Sequence, residues 1–195
     1  LEKAHAAGCA DVARWSTAKL SQQYDVVVTC GGGYPLDQNF YQTVKGMCMA
    51  LPALKESGTL AVVSSCDLQM GSPEYTQLMK QYAGRWTEFL AHRAAEPEVT
   101  LKDQWELQMQ CRVLERTGPE RLLFLSDGMD PHLQLQANVT PILGRATDGA
   151  DFARADHTPP VQARLQETVD CLLRENPGAS LAIIPEGPYT LLLRP

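Results

Sequence analysis

A phenol, a carboxamide and an ammonium stand close together in this chain, at Tyr41, Gln42 and Lys45. Tyr41 and Lys45 are four residues apart and Gln42 and Lys45 three apart, so on a helix all three share one face. The ammonium suits a carboxylate, and the other two groups suit the hydroxyl and carbonyl oxygens of a small polar acid. These residues belong to the run Gly33-Tyr34-Pro35-Leu36-Asp37-Gln38-Asn39-Phe40-Tyr41-Gln42-Thr43-Val44-Lys45-Gly46, which follows the valine-rich segment Asp25-Val26-Val27-Val28-Thr29-Cys30. A strand, a glycine loop and a helix start are expected to leave backbone N–H groups aimed at open space, ready for an anion.

The elements that must position this face follow from apolar patterning. Residues 25–30, 59–66, 121–126 and 180–185 are short apolar runs that read as strands buried on both faces. Ser57-Gly58 is expected to turn the chain before the second of them. Between the runs lie amphipathic segments. A first helix is expected over 2–23, with Ala10, Ala13, Trp15, Ala18 and Leu20 on its apolar face. A second opens at Asp37 or Gln38, with Phe40, Val44, Met47, Cys48 and Leu51 as its core stripe. Ser72-Pro73-Glu74 combines an N-cap, a proline at the first helical position and an acid in the first turn, and its helix continues to about residue 92 with a break at Gly84. Thr100-Leu101-Lys102-Asp103 resembles a capping box and opens a helix carrying Trp105; Asp130-Pro131 caps a short one, and 160–175 is helical. Residues 144–160 are polar and rich in turn formers, so a surface excursion is expected there. The sum is an α/β fold: a three-layer Rossmann-like domain with a mostly parallel sheet of about five strands, covering 1–195. In such folds ligands meet the loops at the carboxyl ends of strands, here the loop after Cys30 and the loop Asp67-Leu68-Gln69-Met70-Gly71.

A net charge of −6 and a pI near 5.2 argue against a nucleic-acid binder built on a general basic surface. No apolar run is long enough to span a bilayer, so no membrane partner is expected. The chain begins at Leu1 without methionine or a secretory leader, which reads as a cytoplasmic fragment whose preceding part lies elsewhere. Six cysteines at 9, 30, 48, 66, 111 and 171 form no C-x-x-C pair and read as small buried hydrophobes in a reduced compartment. His5, His92, His132 and His157 are scattered, with no helical ligand spacing, so neither a metal site nor a catalytic triad is expected.

Each motif also has a plain reading. Lys45 alone is a solvated lysine, Tyr41 and Gln42 an ordinary helix flank, and Trp105 a packing residue. Gly31-Gly32-Gly33 invites a dinucleotide site, but Leu36 stands where the third glycine of G-x-G-x-x-G belongs. The alternative function is a non-catalytic α/β module holding a small anionic metabolite or nucleotide at Gly31-Gly32-Gly33. A pure interaction domain would instead show exposed apolar surface.

The run from Gly33 to Asn39 followed by Tyr41-Gln42, Lys45 and Gly46 resembles the C-terminal domain of the nickel-dependent lactate racemase family. Similarity extends to the valine strand, to Gly71-Ser72-Pro73-Glu74, to Asp103-Gln104-Trp105 and to Ile184-Pro185-Glu186-Gly187-Pro188-Tyr189. The resemblance implies a parent that racemises or epimerises a small 2-hydroxy acid. Its N-terminal domain would hold a nickel-pincer nucleotide and the acid/base histidines, so no catalytic or metal-binding residue is assigned to this fragment and it should be inactive alone. The domain read here would close the cleft and contribute substrate contacts, which fall on Tyr41, Gln42, Lys45 and Trp105. The loop Asp67-Leu68-Gln69-Met70-Gly71 is bulkier than the glycine-containing acidic stretch of relatives, which leaves malate and other 2-hydroxy acids open beside lactate.

Overall fold

The computed structural model describes residues 1–143 and 159–194. An interior strand of its sheet is β2 (Tyr24–Cys30), whose Val26, Val27, Val28 and Thr29 are all buried, as a strand covered on both faces requires. From β2 the chain steps outward through β3 (Leu54–Val63), β4 (Leu122–Leu125) and β5 (Thr140–Pro141), then returns to lay β6 (Leu181–Ile184) on the other edge of β2. Every pairing is parallel, with Val27 opposite Leu60 on one side and Ala182 on the other. The strand order β5-β4-β3-β2-β6 therefore reverses between β2 and β6.

Right-handed crossovers decide which face each helix covers. The steps β2 to β3 and β3 to β4 run the same way, so α2 (Phe40–Ala50) and α5 (Gln104–Thr117) share one face and pack on each other. Phe40 of α2 meets Phe124 of β4 edge-on there, with ring centroids 5.3 Å apart. The return to β6 runs the opposite way and places α7 (Val161–Glu175) on the other face, where Arg164, Thr168 and Leu172 line a hollow with Leu123. The third layer expected from the sequence is thus present. Between α2 and α5 on the first face the chain forms α3 (Pro73–Gln81) and α4 (Trp86–Ala95), broken at Gly84 as read. After β4 it forms α6 (Pro131–Gln136), capped by the Asp130 carboxylate, which accepts from the N–H groups of His132 and Leu133.

Four expectations are corrected. The first helix, α1 (Glu2–Ser16), ends early and buries none of its residues; Trp15 is 75% exposed. Thr17–Lys19 becomes β1 instead, paired in parallel with β7 (Leu191–Leu193) in a separate two-stranded sheet. That partner lies at the far end of the chain, beyond any local periodicity. Ser57-Gly58 does not end a segment but lies inside β3, where the register slips from Tyr24↔Leu54 to Val26↔Thr59 and Ser57 takes φ of 57°. The capping box at Thr100 does not form: Asp103 is the N-cap of α5 at φ of 61°, and its carboxylate accepts from the Ser72 hydroxyl at 2.6 Å rather than capping the helix. Finally, of the six cysteines read as buried, Cys66 and Cys111 are buried, Cys30, Cys48 and Cys171 are half-buried and Cys9 is exposed; all six thiols are free. The excursion read at 144–160 falls almost wholly outside the described residues.

Candidate functional site

α2 follows the carboxyl end of β2, and α5 starts at that same edge because it runs back down the sheet before β4. Their first turns meet there. Asn39 caps α2, its side-chain oxygen accepting from the Gln42 N–H at 3.0 Å. Phe40 and Tyr41 donate their N–H groups to the carbonyls of Gln69 and Met70, and Thr43 to that of Asn39. All four leading N–H groups of the helix are therefore occupied, and the expected free anion site at this terminus does not exist. The glycine loop is likewise built for packing. Gly31 donates to the Val63 carbonyl, and a Cβ on Gly31 or Gly32 would press on Ser64, Asp37 or Pro188.

What remains open on α2 is its side-chain face. Lys45 Nζ donates to Gln42 Oε1 at 2.5 Å, so ammonium and carboxamide stand together, both half-buried. Tyr41 packs edge-on against Trp105, with ring centroids 5.7 Å apart, and against the buried Tyr75 at 5.2 Å. Trp105 is 48% exposed. Two ties between the starts of α3 and α5 fix its place: the Ser72–Asp103 hydrogen bond and the Lys102–Glu74 ion pair at 2.8 Å. The structure thus brings all four sequence-derived residues onto one accessible face. Burial raises the proton affinity of the Tyr41 phenol, and the nearby Glu106 and Asp103 add to it.

The loop Asp67-Leu68-Gln69-Met70-Gly71 acts mainly as a clamp. Met70 is fully buried, and the Gln69 side chain donates to the Gly128 carbonyl and accepts from the Asp130 N–H. Leu68, 61% exposed, and Asp67, whose exposed carboxylate accepts from the Ser65 hydroxyl at 3.1 Å, are the outward-facing side chains of this loop. The thiols beneath the site are not nucleophiles: burial pushes Cys48 and Cys111 up to about 12.

One site residue escaped the sequence reading. Glu106 follows Trp105, is completely buried, and neither carboxyl oxygen has a hydrogen-bond partner. Burial drives its pKa up to about 7; the Lys45 charge opposes the rise and Asp103 adds to it. The signal was an acid in register with the buried stripe Gln110, Val113 and Thr117 of α5. Because the folded value lies above the ordinary carboxyl value of 4.5, Glu106 contributes stability that is complete below that value and lost as pH rises through 7. Glu106→Gln is therefore expected to flatten the fall of Tm between pH 5 and 8, checked by calorimetry across that range.

Among the described residues no three His, Cys, Asp or Glu side chains gather closely enough to hold a metal ion, and no helix is long and apolar enough to cross a membrane. The chain is similar to known proteins over most of its length. The chain is 36% identical over 189 residues to a lactate racemase of Lactiplantibacillus plantarum, covering 96% of this chain and 39% of that protein. It is 35% identical over 113 residues to a lactate racemase of Thermoanaerobacterium thermosaccharolyticum, covering 58% of this chain and 26% of the relative. The structure of the latter organism's lactate racemase apoprotein superposes with a TM-score of 0.72 at 26% identity, covering 99% of this chain and 41% of that one. The chain thus spans well under half the length of these relatives. The family pattern described as the lactate racemase C-terminal domain matches residues 20–151, which include β2, the glycine loop, α2 and the start of α5. The chain belongs to the lactate racemase C-terminal domain family.

Proposed function

We propose that this chain is the substrate-closing domain of a 2-hydroxy-acid racemase or epimerase of the lactate racemase type. The observation that carries the reading is the shared face of α2 and α5, where Lys45 and Gln42 stand hydrogen-bonded and Trp105 walls Tyr41. Lys45 pairs with the substrate carboxylate in a charge-assisted contact. Gln42 and Tyr41 orient the acid through hydrogen bonds, and Trp105 shields the reacting carbon from water, which strengthens each polar contact inside. The side chain of the acid, whether that of lactate, malate or another member, meets Trp105 and, on the loop that caps α2, Leu68, both exposed apolar groups.

The other wall of the cleft is a preceding domain of the parent protein. The family implies a nickel cofactor in the full-length enzyme, read here as a nickel-pincer nucleotide. On this reading its place is in that other domain, and no chemical step is assigned to this chain through it. The part played here is binding, orientation and exclusion of water. Six free thiols fit a cytoplasmic setting.

The test is enantiomer interconversion followed with stereospecific dehydrogenases. The full-length parent, carrying its cofactor, is expected to racemise a 2-hydroxy acid, while this chain alone shows no turnover. Sustained turnover by the isolated chain contradicts the assignment.

A further inference from the structure

Glu106 lies where α5 packs on α2: the Tyr41–Trp105 ring contact at 5.7 Å and the Cys48 thiol donating to the Met109 carbonyl at 3.4 Å bracket Lys45 on one helix and Glu106 on the other. It is fully buried, with both oxygens unpartnered. An ionised carboxylate in that setting is costly unless a cation compensates it, and a protonated one needs a reason to be retained. The groups that bear on it can be named element by element. From α2 they are Lys45, Tyr41 and Cys48, from α3 Tyr75, and from the cap of its own helix Asp103. α4, β3 and β4 also pack on α5, and no ionised group of theirs shifts Glu106. Lys45 is the cation of this set, and it is the same half-buried ammonium that donates to Gln42.

We propose that Glu106 is a positioning residue coupled to Lys45: in the empty site the ammonium supports the ionised carboxyl behind it, and an anion docking on Lys45 drives a proton from solvent onto Glu106. The anion and the buried carboxylate compete for one positive charge. When an external carboxylate takes it, like-charge repulsion across the row is relieved by protonating Glu106. By linkage, anion binding and proton uptake strengthen each other equally. Anion affinity is then expected to fall as pH rises above 7, by up to tenfold per unit. The identity of that anion as a 2-hydroxy acid rests on the function proposed above; the Lys45–Glu106 coupling does not.

The test is a carbon-detected NMR titration of the Glu106 carboxyl in this chain, wild type and Lys45→Met. The methionine removes the cation but keeps an apolar stem at a half-buried position, so the fold is preserved. The expected midpoint is about 7 in the wild type and higher in Lys45→Met. An unchanged midpoint in Lys45→Met overturns the coupling. A second reading uses the full-length enzyme with Glu106→Gln. KM for a 2-hydroxy acid is expected to lose its rise above pH 7 while kcat keeps its own profile. A variant KM that still rises as in the wild type overturns the proposal. A parent that fails to racemise leaves the NMR outcome to decide the coupling alone.

Discussion

Lys45→Ala in the full-length enzyme is expected to lower kcat/KM for a 2-hydroxy acid roughly ten- to a hundred-fold, with little change in Tm. A hydrogen bond to a charged partner contributes about 1.5–3 kcal/mol, which sets that range. The stability expectation has a separate basis. Lys45 is half-buried, and its resolved hydrogen bond goes to Gln42, three residues away on the same helix. Its loss therefore removes no long-range hydrogen bond, and at pH 6, where Glu106 is largely protonated, it removes little charge compensation either. Lys45→Arg should restore only part of the activity, because a planar fork replaces a compact ammonium held by one carboxamide. Steady-state kinetics and melting curves on the same samples separate the two effects. Unchanged kcat/KM would remove Lys45 from the site.

Gly46→Ala should have the largest effect on stability of any single methyl added to the motif. Gly46 stands where α2 crosses the end of β2, and an added Cβ would fall well inside contact with the Cys30 carbonyl oxygen. The obstacle is backbone of an interior strand, not a flexible side-chain end, so relief requires moving α2 away from the sheet. Overpacking of this kind costs about 1–3 kcal/mol and occasionally more. The same shift would carry Lys45 and Gln42 off their line, so activity should fall with stability. Urea unfolding measures the cost, with Gly8→Ala as the control. Gly8 lies in the exposed α1 with nothing within 4 Å of its added Cβ, and alanine there should be neutral or slightly stabilising. Equal stabilities for Gly46→Ala and the wild type would contradict the close crossing.

These two substitutions also show where the sequence was readable. The strand before the motif was legible because a parallel strand buried on both faces is an uninterrupted apolar run, as Val26, Val27 and Val28 are. Ser72 and Asp130 were legible as caps because capping is local chemistry. Lys45 beside Gln42 follows from helical spacing alone. The start of α2 was misread as an open anion site because the carbonyls that fill it belong to Gln69 and Met70, on another loop. The meeting of Tyr41 with Trp105 likewise depends on two helices converging at one sheet edge, and only the family resemblance brought Trp105 into view. Glu106 was visible as an acid on an apolar stripe, yet its meaning depends on complete burial and on a cation supplied by the neighbouring helix. The exposure of α1 and the β1–β7 pairing depend on contacts between opposite ends of the chain.

The central claim is that Lys45 reads the carboxylate of the substrate. The most direct measurement compares inhibition of the full-length enzyme by a 2-hydroxy carboxylate and by its neutral carboxamide, in wild type and Lys45→Ala. The wild type is expected to prefer the carboxylate by roughly ten-fold or more, and Lys45→Ala to lose most of that preference while binding the carboxamide almost unchanged. A preference for the carboxylate that survives intact in Lys45→Ala would place the recognition of charge elsewhere and contradict the account.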